Sequence, residues 1–167
     1  METSNWIKPE PEHGILTKWN WVVLYPQRLS LGQCVDIGAF TLLACQAGIT
    51  LGNYIQIGSH CSLYSKSTID NKEGEIIIHN NARIGSHSTI MPGVTIGEGA
   101  IIGAHSFVNK DVPVGETWFG VPARKNQPRG LDEVVLSLEK KNKTKCAHLK
   151  NLASPYAQIC HDCGKII

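Results

Sequence analysis

Residues 78–108 read IHNNARIGSHSTIMPGVTIGEGAIIGAHSFV, and an aliphatic side chain returns at every sixth position: Ile78, Ile84, Ile90, Ile96, Ile102 and Val108. Four places after each stands a second restricted residue: Ala82, Ser88, Val94, Ala100, Ser106 and Val112. Neither an α-helix nor an ordinary strand has this period. A solenoid of short strands and tight turns does, because each side sends one large and one small side chain inward. Upstream the large column continues through Leu31, Ile37, Leu43, Leu51, Ile57 and Leu63, and the small one through Val35, Thr41, Ala47, Ile55, Cys61 and Ser67. Downstream the large column extends to Val114. The spacing slips after Leu43 and after Leu63, where Ile69-Asp70-Asn71-Lys72-Glu73-Gly74 supplies turn-forming residues. Blocks starting at Leu31, Leu51, Ile78 and Ile96 hold three hexads each, which makes the coil three-sided and leaves the extra residues to loop outward.

The regular body occupies residues 31–126. Residues 1–30 read as an N-terminal cap segment, with Trp19, Trp21, Val22 and Val23 as a strand covering the first end of the coil. Residues 127–145 read as a helix and linker: Leu131, Val134, Val135 and Leu138 fall on one helical face, with Asp132 and Glu133 early and Lys140 and Lys141 late. A Cys-containing tail, 146–167, follows.

A hydrophobic content of 42% against 18% charged residues fits a folded, water-soluble chain. The net charge of +2 predicts no nucleic-acid partner, and no run approaches the length of a membrane-spanning helix. Without an apolar leader, the expected location is the cytoplasm, where six cysteines stay mostly reduced. Cys34, Cys45 and Cys61 are expected to fill turn positions. In the tail, Cys146, His148, Cys160 and Cys163 offer three thiolates and an imidazole, the donor set of a structural zinc site.

The hexads 82–97, with Ile102-Gly103-Ala104-His105-Ser106, Val108-Asn109-Lys110-Asp111-Val112-Pro113 and the closing Gly120-Val121-Pro122-Ala123-Arg124, resemble the left-handed β-helix acyltransferases. Among these the pattern especially resembles the bacterial sugar acetyltransferases related to the galactoside and maltose enzymes. The resemblance implies an all-β, left-handed parallel β-helix that forms a homotrimer and binds acetyl-CoA between subunits. Carried over by position, the CoA groove uses Ser86 and Ala104 on successive coils, His105 beside them, then Asn109, Lys110 and Arg124. Small side chains let a pantetheine arm lie flush, and Lys110 and Arg124 offer charge to phosphates.

His60, His87 and His105 each sit three places after Ile57, Ile84 and Ile102, and Phe40 takes the same place after Ile37. Coils stacked about 4.8 Å apart would align these rings in one column. Acetyl transfer from a thioester benefits from a base that removes the acceptor's proton, and histidine suits that task near neutrality. With the adenine end by Arg124, the thiol end falls near His60, the first choice as base, with His87 second. The bland alternative is a polar ladder at a subunit interface.

Many relatives carry the catalytic histidine in the loop after the second coil, where this chain has Leu63-Tyr64-Ser65-Lys66-Ser67-Thr68-Ile69-Asp70. Thr68 stands closest to that position. Either His60, His79, Asp70 or Glu75 takes over, or the acceptor is an amine that needs no strong base. His79 and Asp70, near the insertion, are the expected acceptor contacts. The expected activity is transfer of acetyl to an amino or hydroxyl group of a sugar, a nucleotide-linked amino sugar for surface polysaccharide or lipopolysaccharide synthesis. The alternatives are a carbonic-anhydrase-like metalloenzyme of the same fold and a non-catalytic solenoid scaffold.

Overall fold

The computed structural model describes residues 6–126. In chain order its strands are β1 (Val22–Leu24), β2 (Leu29–Leu31), β3 (Asp36–Ile37), β4 (Leu42–Ala44), β5 (Ile49–Leu51), β6 (Gln56–Ile57), β7 (Ser62–Tyr64), β8 (Ile76–Ile78), β9 (Arg83–Ile84), β10 (Thr89–Ile90), β11 (Thr95–Ile96), β12 (Ile101–Ile102), β13 (Phe107–Val108), β14 (Thr117–Phe119) and β15 (Arg124–Lys125). Strands this short gain stability only from neighbours one coil above and below. They form three sheets: face A is β1-β4-β7-β10-β13, face B is β2-β5-β8-β11, and face C is β3-β6-β9-β12-β14-β15. Pairing is parallel except for the antiparallel closing pair β14 and β15. The coil is a left-handed parallel β-helix.

Register follows the large column. Leu31, Leu51, Ile78 and Ile96 align on face B, Ile37, Ile57, Ile84 and Ile102 on face C, and Leu43, Leu63, Ile90 and Val108 on face A. All but Leu31 are buried, and each buried aliphatic contributes about 1.5–3 kcal/mol relative to an exposed one. The glycines after them mark where coils touch: a Cβ on Gly85 would lie 2.4 Å from the Ala104 amide nitrogen, and one on Gly58 would lie 2.5 Å from that of Ser86.

The column ends earlier than its period implies. Val114 is 72% exposed, and Val112 instead bridges to Ile96 in parallel. Ala47 and Ser67, beside the slips, are only half-buried. At the other end, β1 is itself the first rung of face A rather than a strand laid over the coil end. Trp21 is buried beneath it, and Trp6 packs against the same cluster while its indole N–H donates to the Val35 carbonyl. Cys45 and Cys61 point into the core from the ends of turns, and burial pushes the Cys45 thiol up to about 12 and that of Cys61 upward as well. The expected helix over 131–138 and the zinc ligands Cys146, His148, Cys160 and Cys163 lie outside the described residues. No helix among the described residues is long and apolar enough to cross a membrane.

Candidate active site

The turn from face C to face A repeats one four-residue theme: Gly38-Ala39-Phe40-Thr41, Gly58-Ser59-His60-Cys61, Gly85-Ser86-His87-Ser88 and Gly103-Ala104-His105-Ser106. The third residue of each is left-handed, with φ of 62° at Phe40, 57° at His60, 59° at His87 and 56° at His105. Such a backbone costs a non-glycine residue roughly 1–2 kcal/mol, so each turn must be held by its surroundings. The fourth residue does this from inside. Thr41 Oγ1 donates to the Gly58 carbonyl (2.9 Å), Cys61 Sγ to that of Gly85 (3.3 Å) and Ser88 Oγ to that of Gly103 (3.0 Å). Each coil thereby fixes the turn of the next.

Identical turns put their third side chains in line. The His60 and His87 rings stack at 4.7 Å with 12° between planes, and His87 and His105 at 4.8 Å with 1°. Phe40 lies 5.1 Å from His60 at a 41° tilt. All four side chains are exposed. Rings stacked this way cannot converge on one metal, because two nitrogens on a tetrahedral zinc must approach to about 3.4 Å. Among the described residues no group of three or more His, Cys, Asp or Glu is placed to hold a metal ion.

Ser86 and Ala104 immediately precede His87 and His105 on adjacent coils, the first half-buried and the second exposed. The histidine amides beside them are occupied: His87 N donates to Ser59 O at 3.0 Å and His105 N to Ser86 O at 2.9 Å. Among the described residues, the Ser86 and Ala104 amides themselves meet no backbone carbonyl. Two small residues with free N–H groups, one coil apart, fit an extended amide-bearing arm. Arg124 closes this side in β15, exposed, while neighbouring Lys125 is spent on Glu116 at 2.6 Å. The Lys125 contact, with help from the Trp118 indole, holds the Glu116 carboxyl below its ordinary value.

The remaining expected residues lie elsewhere. Asn109 and Lys110 follow β13 and sit at the turn from face A to face B, on the order of 13 Å of extended chain from His105. Lys110 is exposed and, like Arg124, forms no ion pair among the described residues. Asp70 lies in a hairpin between β7 and β8, closed by an antiparallel bridge and a 2.9 Å ion pair between Lys66 and Glu73. The Ser67 side chain, then Lys72, hold the Asp70 carboxyl below its ordinary range, which makes it a poor proton acceptor. Beside it Ile69 is 96% exposed. His79 follows β8 at the turn from face B to face C, next to an asparagine ladder in which Asn80 Oδ1 accepts from Asn53 N and Asn53 Oδ1 from Gln33 N, each at 2.8 Å. Within one chain, therefore, the structure brings Ser86, Ala104, His60, His87 and His105 together, and it separates them from Asp70, His79, Asn109 and Lys110.

Residues 75–110 match the family model of the bacterial transferase hexapeptide (six repeats). The galactoside O-acetyltransferase of Escherichia coli (strain K12) is 55% identical over 49 residues, 29% of this chain and 24% of that one. A hexapeptide-repeat acetyltransferase of Vibrio cholerae O1 biovar eltor, solved with acetyl coenzyme A, aligns at 27% identity and a TM-score of 0.61 over 64% of this chain and 63% of its own. A variant of AntD, an N-acyltransferase from Bacillus cereus solved with dTDP and coenzyme A, aligns at 27% identity and a TM-score of 0.52, covering 74% of each chain. The coil and its repeat define the class, a left-handed hexapeptide-repeat β-helix. Residues 75–110 are thus similar to the bacterial hexapeptide transferases, and the coil shares the fold of the solved hexapeptide-repeat acetyltransferases. The chain spans less than two thirds of the length of the curated relatives it matches.

Proposed function

We propose that the protein transfers acetyl from acetyl-CoA to an amino or hydroxyl group of a sugar, in clefts between the subunits of a homotrimer. The observation that carries this reading is the pair of free amides at Ser86 and Ala104 beside the stacked histidines. The pantetheine arm lies along those amides, and Lys110 and Arg124 neutralise the phosphates. Because Asn109 and Lys110 stand at one corner and Ser86 and Ala104 at another, a groove using both is built from two neighbouring chains.

In the reaction the acceptor nitrogen or oxygen attacks the thioester carbonyl, the C–S bond breaks, and the thiolate leaves. His60, with His87 as the second choice, takes the acceptor's proton and returns it to the CoA sulfur. The likeness to an N-acyltransferase solved with dTDP, and in another variant with a dTDP-linked amino sugar, supports a nucleotide-linked amino sugar as acceptor. A thiol-release assay with acetyl-CoA across nucleotide sugars tests this. Release that depends on an amino sugar supports it, and no release with any acceptor rejects it. Zinc in the tail, on Cys146, His148, Cys160 and Cys163, is a separate proposal that a metal assay at one equivalent per chain decides.

A further inference from the structure

Face A begins with β1, whereas face C begins one coil later with β3. Among the described residues no strand pairs with the outer edge of β3, and a cavity of about 680 Å³ lies beside it. That volume falls in the range of small-molecule sites. Trp6, Trp19, Trp21 and Ile7 line it, and Lys18 and Asp36 are the only charged residues on its wall. Both charged side chains are exposed to water, so the inner wall is apolar. The tryptophans are held in place. Trp19 stacks on buried Trp21 at 6.3 Å with 8° between planes, and the Lys18 ammonium lies 4.4 Å from the centre of the Trp19 ring. Thr17 closes their turn from both sides, its amide donating to the Trp21 carbonyl at 2.9 Å and its Oγ1 accepting from Trp21 N at 3.3 Å.

The cofactor groove proposed above leads to this cavity. The second residues of the turns from face C to face A are Ala39, Ser59, Ser86 and Ala104, and among the described residues none of their amides donates to a backbone carbonyl. The parallel pairing of Val22 with Leu42 carries the same register back one coil, which sets Asn20 over Phe40 and Trp19 over Ala39. Asn20 shares the left-handed backbone of Phe40, with φ of 63°, and its carbonyl accepts from the Phe40 amide. Trp19 therefore ends the row of small residues and also walls the cavity. In the ring column Phe40 follows His60, so the last rung before Trp19 is apolar where the others carry imidazole.

We infer that this cavity receives the acyl chain of the donor thioester, and that the donor it favours carries a chain longer than acetyl. The inference rests on the function proposed above, with the thioester at the rung of His60. From there the rung of Phe40 lies about 5 Å along the axis and that of Trp19 about 10 Å, beyond an acetyl methyl but within reach of a straight chain of medium length. Each methylene that enters leaves water for an apolar wall, which favours binding. The chemistry of transfer is unchanged: the acceptor attacks the thioester carbonyl, the C–S bond breaks, and the thiolate leaves.

Calorimetric titration of the full chain with acetyl-CoA and octanoyl-CoA tests the site. The expected result is that octanoyl-CoA binds about tenfold or more tighter, and that Trp19→Ala and Ile7→Asp each remove most of this advantage. Ile7 is exposed, so Ile7→Asp tests the cavity even where Trp19→Ala fails to fold, and far-ultraviolet circular dichroism checks the coil in both. Equal binding of the two thioesters to the unaltered chain, or an octanoyl advantage that survives in every folded variant, overturns the inference. Thiol release separates it from the transferase reading. If octanoyl-CoA shows an advantage that depends on Trp19 and Ile7 while no sugar acceptor releases thiol from either donor, the transferase reading falls and the cavity stands. If acetyl-CoA supports release with a sugar and octanoyl-CoA binds no tighter, the cavity falls and the transferase reading stands.

Discussion

At the corner between faces C and A, the large column advances six residues at every turn: Ile37 to Leu43, Ile57 to Leu63, Ile84 to Ile90 and Ile102 to Val108. At the corner between faces A and B the step is eight from Leu43 to Leu51, fifteen from Leu63 to Ile78, six from Ile90 to Ile96 and four from Val108 to Val112. The first corner is uniform, and it produces parallel stacked rings and a row of equivalent amides. The second absorbs every irregularity in the coil, and it produces the hairpin between β7 and β8, closed by the Lys66–Glu73 ion pair. Repetition lines up equivalent groups along the axis, whereas a break makes a single feature that no other coil repeats.

The contrast can be broken most severely at the uniform corner. If His60 is the base, His60→Ala lowers kcat/KM by about 10²–10⁴-fold, while His105→Ala, two rungs away, leaves kcat much nearer the wild-type value. Steady-state kinetics on the two variants decides between a base and a ladder. Gly85→Val drives a side chain into the backbone of the next coil and costs about 3 kcal/mol in urea denaturation. The same titration separates the inward column from its false continuation. Ile90→Ala, at a fully buried site, loses about 2–5 kcal/mol. Val114→Ala changes stability by about 0.5 kcal/mol or less.

Smaller effects sharpen the comparison. Native alkylation at neutral pH, mapped by mass spectrometry, should leave Cys45 and Cys61 unmodified, since both are buried and their thiols are raised; half-buried Cys34 should react first among the three. The smallest effect concerns Asp70. Its carboxyl is lowered in the folded hairpin, so its contribution is present above its unfolded value and is lost as pH falls through the lowered folded one. Amide shifts at Ser67 and Lys72 that stay flat down to the ordinary carboxylate range, and move only below it, are expected.

The period of six was enough to place all three faces, because an inward side chain every six residues has no other packing solution. It also placed His60, His87 and His105 in one column, since the turn between faces C and A never changes length. Val114 leaves the column for the opposite reason. A turn between faces A and B can shorten to four residues, and Val112 then meets Ile96 without disturbing the aliphatic spacing. Asp70 and His79 are neighbours in sequence across one short strand, yet that strand is a full side of the triangle.

The contacts of Gly38, Gly58 and Gly85 with the backbone of the next coil make the axis a graduated scale with divisions of about 4.8 Å. Excising the stretch from Ile84 to Ile101 would join Arg83 to Ile102 in register, because Arg83 pairs with Ile101. The resulting protein would keep its cross-section while His105 moved up to the division beneath His60. On the function proposed above, a cofactor of fixed length held at Arg124 would then overshoot its mark by one division.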